Sequence, residues 1–138
     1  KFFLKQSGIK ILKSSSYYES LSWPDKSKPK FINIIVQSKT NLLPKEILQI
    51  AKSIEYKLGR KKTYKNAPRT CDIDIISYGN KIISGDLEIP HKRMSKRNFV
   101  LIPLFEIAPY YVHPKSNKSI KKLIFSLSIK DIRSIKLI

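Results

Sequence analysis

Cysteine is nearly missing from these 138 residues: Cys71 stands alone, so no disulfide closes within the chain. A single thiol suits a reducing compartment. Glycine is scarce as well, limited to Gly8, Gly59, Gly79 and Gly85, and neither G-x-x-x-x-G-K-[ST] nor G-x-G-x-x-G occurs. A nucleotide bound here is therefore not cradled in a glycine-rich loop and has to be held through side chains and metal. Two histidines, His91 and His113, with one cysteine leave no set of zinc-ligand spacing, and no G-x-S-x-G elbow supports a serine nucleophile. No apolar run approaches the roughly 20 residues of a membrane span. The opening stretch Lys1–Gln6 is too short and too charged for a signal peptide's apolar segment. The expectation is a soluble, cytoplasmic protein without membrane contact. Acidic residues are few, 10 against 28 lysines and arginines, which leaves a net charge of +18. Such an excess points to a polyanion, whether nucleic acid, an acidic membrane or nucleotide phosphates. The lysines are scattered among isoleucine, asparagine and serine, however, a pattern that AT-rich codon usage also produces. A solvated basic surface is the plainer account.

What is present describes one folded domain, 1–138. Hydrophobic residues make up 41%, enough for a core, and the length leaves no room for a second one. Residues 10–20 read as extended, and residues 23–29, with Pro24 and Pro29, as a loop. Phe31–Val36 is β-branched and short, a strand antiparallel to the one before. Pro44–Leu58 reads as a helix, with Asn41 upstream, Pro44 in its first turn and Ile47, Ile50, Ala51, Ile54 and Leu58 at helical spacing. Gly59 ends it. Asp72–Ile76 is expected to be a strand that turns at Tyr78–Lys81 into a second at Ile82–Ile83. Ser95 is the expected cap of a helix through Phe105, which Pro103 bends or restarts. A short helix near 120–125 and an extended end follow. Helices and strands mixed without strict alternation indicate an α+β class, with helices packed on a mainly antiparallel sheet.

The densest chemistry lies around Asp72 and Asp74. On a strand, side chains two apart share a face, so these carboxylates project together while Cys71 and Ile73 turn inward. Magnesium binds through one or two carboxylates plus substrate phosphates, which fits such a pair. A solvated acidic pair neutralised by nearby lysines is the alternative. Arg60, Lys62, Lys65 and Arg69 precede the pair, and arginines clamp phosphate oxygens through their planar fork. His91 is either a surface residue or a nucleotide ligand. Asn33, inside an apolar strand, either bonds backbone at a sheet edge or reads a flat polar heterocycle by donating and accepting at once. Phe31 and Phe99 either pack in the core or stack on such a ring.

Four runs resemble one family in its own order. Pro68-Arg69-Thr70-Cys71-Asp72-Ile73-Asp74-Ile75 is similar to the P-R-T-x-D-[IL]-D signature of the 6-hydroxymethyl-7,8-dihydropterin pyrophosphokinases of folate biosynthesis. Ile89-Pro90-His91 through Arg97-Asn98-Phe99-Val100-Leu101-Ile102-Pro103-Leu104-Phe105-Glu106-Ile107-Ala108-Pro109 resembles its P-H…R-x-F-[VM]-L-x-P-L-x-E-I-A-P. Pro29–Asn33 resembles Q-P-x-[FY]-x-N, and Ile54-Glu55…Gly59-Arg60 resembles I-E…G-R. The resemblance implies a ferredoxin-like sandwich, ATP as co-substrate and two magnesium ions on Asp72 and Asp74. It places Arg60, Lys62, Arg69, His91 and Arg97 on the nucleotide, with Glu55 and Ile75 on the same side. It gives the pterin to Ser20 and Asn33, between Phe31 and Phe99. The partners it implies are small molecules, ATP and a dihydropterin, bound by a monomer.

The chain departs from that pattern in places. The family's opening strand and G-S-N-x-G segment have no counterpart, so the domain is expected to be truncated at its N-terminus. Ser20-Leu21-Ser22-Trp23-Pro24 stands where the family favours T-x-P-x-G, and Lys62 where arginine is common. Two alternatives to the enzyme remain open at this point: a non-catalytic nucleic-acid-binding α+β domain, suggested by the charge, and an inactive fragment.

Overall fold

A computed structural model describes residues 1–21, 27, 29–59 and 71–138. The expected sites Arg60, Lys62 and Arg69, with the basic stretch around Lys65 and the altered loop 22–24, lie outside the described residues.

Among the described residues five short strands and five α-helices mix in chain order, and every strand pairing is antiparallel, so the α+β class holds. Helix α1 (Phe2–Gln6) leads into β1 (Lys10–Ser14), β2 (Tyr18–Ser20), β3 (Phe31–Asn33) and β4 (Val36–Lys39). Helices α2 (Pro44–Lys57), α3 (Asn98–Ile107), α4 (Ile120–Phe125) and α5 (Ile129–Ser134) precede β5 (Lys136–Leu137). β1 pairs with β4, and β2 lies between β3 and β5.

The single strand expected over 31–36 is two, and the extended run 10–20 is broken opposite it. The Ser15 amide donates to the Ile35 carbonyl at 2.8 Å, but the Ile35 amide turns to the Ser15 hydroxyl at 2.9 Å. A side chain thus replaces one rung, and the ladder between residues 10–20 and 31–39 is interrupted there. Helix α2 matches the expected span. Its start is held by the Leu43 amide donating to Glu46 Oε2 at 2.7 Å, with Pro44 next, while Gly59 at φ 114° carries the chain out.

Several expectations fail locally. No strand ladder runs along 72–76 among the described residues; the His91 amide reaches the Ile76 carbonyl at 2.8 Å instead. The turn at Tyr78–Lys81 does form, with Gly79 at φ 54°, but the strand-like pair beyond it is Ile83 with Ile89. Ser95 does not cap α3, because it lies inside a 3₁₀ turn, Met94–Lys96. Arg97 has the extended backbone a cap requires, and its carbonyl receives the Val100 and Leu101 amides. Pro103 neither restarts nor ends α3, which runs through it to Ile107. Proline removes one donor, and the buried face of Val100, Leu101, Leu104 and Ile107 holds the helix in place.

That face meets Met94, Ile120 and Leu123 in the main core, with Ile35, Ile76, Phe99 and Tyr111 packed around it. Leu101 is fully buried, and truncating such a side chain to alanine costs roughly 2–5 kcal/mol. Ser119 and Ser128 cap α4 and α5, their hydroxyls accepting the Lys122 and Asp131 amides at 3.2 and 3.1 Å. Among the described residues no helix is long and apolar enough to cross a membrane.

Candidate active site

The core sets the head of α3 beside the segment that carries the two aspartates. Along 71–75 exposure alternates: Asp72 and Asp74 are exposed while Cys71, Ile73 and Ile75 are half-buried. The shared face expected of the carboxylates is present without a ladder. Two tyrosines pin this segment: Tyr78 Oη donates to the Leu42 carbonyl at 2.8 Å, and Tyr111 Oη bonds Ser77 Oγ at 3.2 Å.

Asp74, His91 and Arg97 come together. Arg97 Nη1 is 3.6 Å from Asp74 Oδ2, and His91 Nε2 is 4.0 Å from the same oxygen. Both distances exceed a hydrogen bond, so they describe charges held near one another. The Asp74 side chain is about half exposed, which limits its pairing with Arg97 to at most about 1 kcal/mol. The imidazole's tautomer follows from its other nitrogen: Nδ1 accepts the Arg93 amide at 3.1 Å, so in the neutral ring Nε2 carries the proton. Burial lowers the His91 pKa; Asp74 opposes that, and Arg97, Arg93 and Lys92 add to it. Burial also pulls the Arg97 pKa down, with Asp74 opposing and Arg93 adding. The guanidinium lies 5.4 Å from the centre of the Phe99 ring, in cation–π range. A neutral imidazole donor, a guanidinium and hard carboxylate oxygens thus share one patch.

Glu55 is buried on α2, near Cys71 and Asp72. Burial raises the Cys71 thiol's pKa first, then the Asp72 and Glu55 charges add to it and the N-terminal amine opposes them. Ile75 is half-buried next to Asp74. Among the described residues no group of three or more His, Cys, Asp or Glu side chains is placed to hold a metal ion.

The remaining expected residues form a second cluster on β2 and β3. Asn33 Nδ2 donates to Ser20 Oγ at 3.1 Å, and Ser20 itself is buried. Phe31 lies opposite Ser20 in the ladder and is half exposed.

Comparison with known proteins identifies the family. Residues 3–109 match the family model described as 7,8-dihydro-6-hydroxymethylpterin-pyrophosphokinase. The chain belongs to that family. It is similar to the 2-amino-4-hydroxy-6-hydroxymethyldihydropteridine pyrophosphokinase of Aquifex aeolicus, 39% identical over 115 residues, covering 83% of this chain and 72% of that protein. The Synechocystis enzyme of the same name is 43% identical over 118 residues, covering 85% of this chain and 60% of the relative. The folic acid synthesis protein of Pneumocystis carinii is 40% identical over 129 residues, 93% of this chain but 17% of that longer protein. By family this chain is a pyrophosphokinase of folate synthesis, and ATP is the co-substrate of such a kinase.

The roles of two residues escaped the reading of the sequence. Glu106 accepts the Ser16 amide and the Tyr18 hydroxyl, each at 2.7 Å, and so ties α3 to β2. Its signal was available: it is the one carboxylate between Glu88 and Asp131. Asn98 binds α5, and nothing in its sequence context marks that role.

Proposed function

We propose that this chain carries out the transfer its family is named for, moving the diphosphate of ATP onto the hydroxymethyl group of 6-hydroxymethyl-7,8-dihydropterin. The pterin hydroxyl oxygen forms a bond to the β-phosphorus, the bond from that phosphorus to the α-phosphate oxygen breaks, AMP leaves and the hydroxyl proton passes to solvent. The observation that carries the reading is the convergence of Asp74, His91 and Arg97 in the segments that resemble the family's motifs.

Asp72 and Asp74 fit magnesium: they are hard oxygen donors on one exposed face, too few to cage an ion alone, as expected where phosphates and waters complete the shell. Two bound ions would neutralise charge on the transferring phosphates. Arg97 and the Nε2 proton of His91 hold nucleotide oxygens, while Glu55 and Ile75 flank the nucleotide. Arg60, Lys62 and Arg69, carried over by position, clamp the polyphosphate as charge develops. Asn33 reads the pterin edge, with Ser20 fixing its amide, and Phe31 and Phe99 flank the ring. Positioning and electrostatics supply the rate, and no strong protein base is required. A monomeric, cytoplasmic domain with a ferredoxin-like sandwich accommodates these roles.

Titration calorimetry separates this from nucleic-acid binding. Magnesium-dependent binding of a non-hydrolysable ATP analogue supports the enzyme. Metal-independent, salt-sensitive RNA binding with no nucleotide uptake supports a binding module and refutes the proposal.

A further inference from the structure

The family match ends at residue 109, yet the last elements of the chain touch both halves of the candidate site. Asn98 opens α3 between Arg97 and Phe99. Its Nδ2 donates to the Asp131 carbonyl at 2.6 Å and to Ser134 Oγ at 3.0 Å, and Ser134 Oγ donates to the same carbonyl at 2.8 Å. A carbonyl only accepts, so the side-chain nitrogen of Asn98 has to face it, and the amide's orientation is determined. Just beyond, β5 pairs with β2: Leu137 lies opposite Tyr18 and Lys136 opposite Glu19, and the Ile138 amide donates to the Tyr17 carbonyl at 3.0 Å. β2 also carries Ser20, the partner of Asn33. A crevice of about 220 Å³ opens between these parts, with Glu19, Ser20, Leu21 and Lys30 on one side and Ser134 and Lys136 on the other.

We propose that residues 128–138 act as a strap that sets the spacing between the Arg97–Phe99 side and the Ser20–Asn33 side, with Asn98 as the positioning residue that clasps it. This rests on the proposed diphosphate transfer. A two-residue ladder is weak by itself, so β5 stays in register only if its other end is anchored, and Asn98 is that anchor. The chemistry gives the spacing its importance. In-line transfer needs the reacting atoms about 3–3.5 Å apart, and a misplacement of about 1 Å costs roughly 100-fold in rate. The strap touches no reacting atom; it acts through α3 and β2.

Asn98→Asp is the decisive change, because it keeps the shape and replaces a donor with an oxygen that faces the Asp131 carbonyl. We expect kcat to fall roughly 10- to 100-fold while the Kd for the ATP analogue stays within about twofold, since Arg97 and His91 keep their own supports. Ser134→Ala leaves the 2.6 Å contact in place and should lose less. Amide hydrogen exchange should quicken at residues 136–138 and at Glu19 in the Asn98→Asp variant. Unchanged kcat with quickened exchange overturns the proposal. So does a loss of nucleotide affinity and kcat together in step with a fall in Tm, which marks general destabilisation. If the parent protein releases no AMP, the function reading fails, and the strap is judged on exchange: unchanged protection at Glu19 and 136–138 overturns it.

Discussion

Replacing Glu106 with alanine removes the carboxylate that joins α3 to the β1–β2 connection. Two bonds are lost, the Ser16 amide and the Tyr18 hydroxyl, each at 2.7 Å. Bonds to a charged acceptor are strong, but Glu106 is solvent-exposed, so about 1 kcal/mol each is the appropriate scale. The total of about 2 kcal/mol corresponds to a fall in Tm of about 5–10 °C for a chain of this size. Glu106→Gln should cost much less, because its amide oxygen still accepts from Ser16 and its nitrogen donates to the Tyr18 oxygen. The pH dependence gives a second handle. The Tyr18 hydroxyl first of all holds Glu106 below its ordinary pKa; burial opposes it, and bonding from Ser16 adds a smaller lowering. A depressed carboxylate stabilises the fold above its unfolded pKa and loses that contribution as pH falls through the lower folded value. The Tyr18 hydroxyl is pushed up to about 12, by burial first and then by Glu106. Its contribution is complete below the unfolded value and is lost as pH rises through about 12. Thermal melts of both variants between acidic and neutral pH measure the bond loss and the acid-side dependence. A Tm for Glu106→Ala within about 1 °C of the parent would refute the reasoning.

Asp72→Ala and Asp74→Ala should each abolish diphosphate transfer with the far-UV spectrum unchanged; turnover like the parent's in either variant removes the metal role. Asn33→Ala should raise KM for the pterin about tenfold, the scale of one lost hydrogen bond to a bound ligand, and leave nucleotide affinity unaltered in calorimetry. His91 and His113 both have pKa values lowered, chiefly by burial. The unfolded chain therefore takes up protons first as pH falls below 6.5, and stability declines from there toward the lower folded values. Denaturant titrations should show His91→Gln flattening part of that decline, and an unchanged slope contradicts it.

Part of the candidate site's layout is legible in the sequence. The alternation of Asp72 and Asp74 with Cys71 and Ile73 survives in their exposure, and Pro44 and Gly59 bound α2 as their backbone preferences require. What was not legible depends on contacts between distant segments. The hydroxyl of Ser15 breaks two strands because Ile35 lies across from it, a pairing no local pattern encodes. Ser95 looks like a better cap than Arg97 by residue type, but the 3₁₀ turn from Met94 takes it first. Asn98 reads as an ordinary helix-start residue until α5, more than thirty positions later, supplies its partners.

The central claim is a reaction, and AMP release tests it most directly. Protein, ATP, magnesium and 6-hydroxymethyl-7,8-dihydropterin are combined, each is then omitted in turn, and adenine nucleotides are resolved by chromatography. AMP should appear in step with pterin diphosphate ester only when all four are present. AMP formed without the pterin, or ADP in its place, would contradict the account.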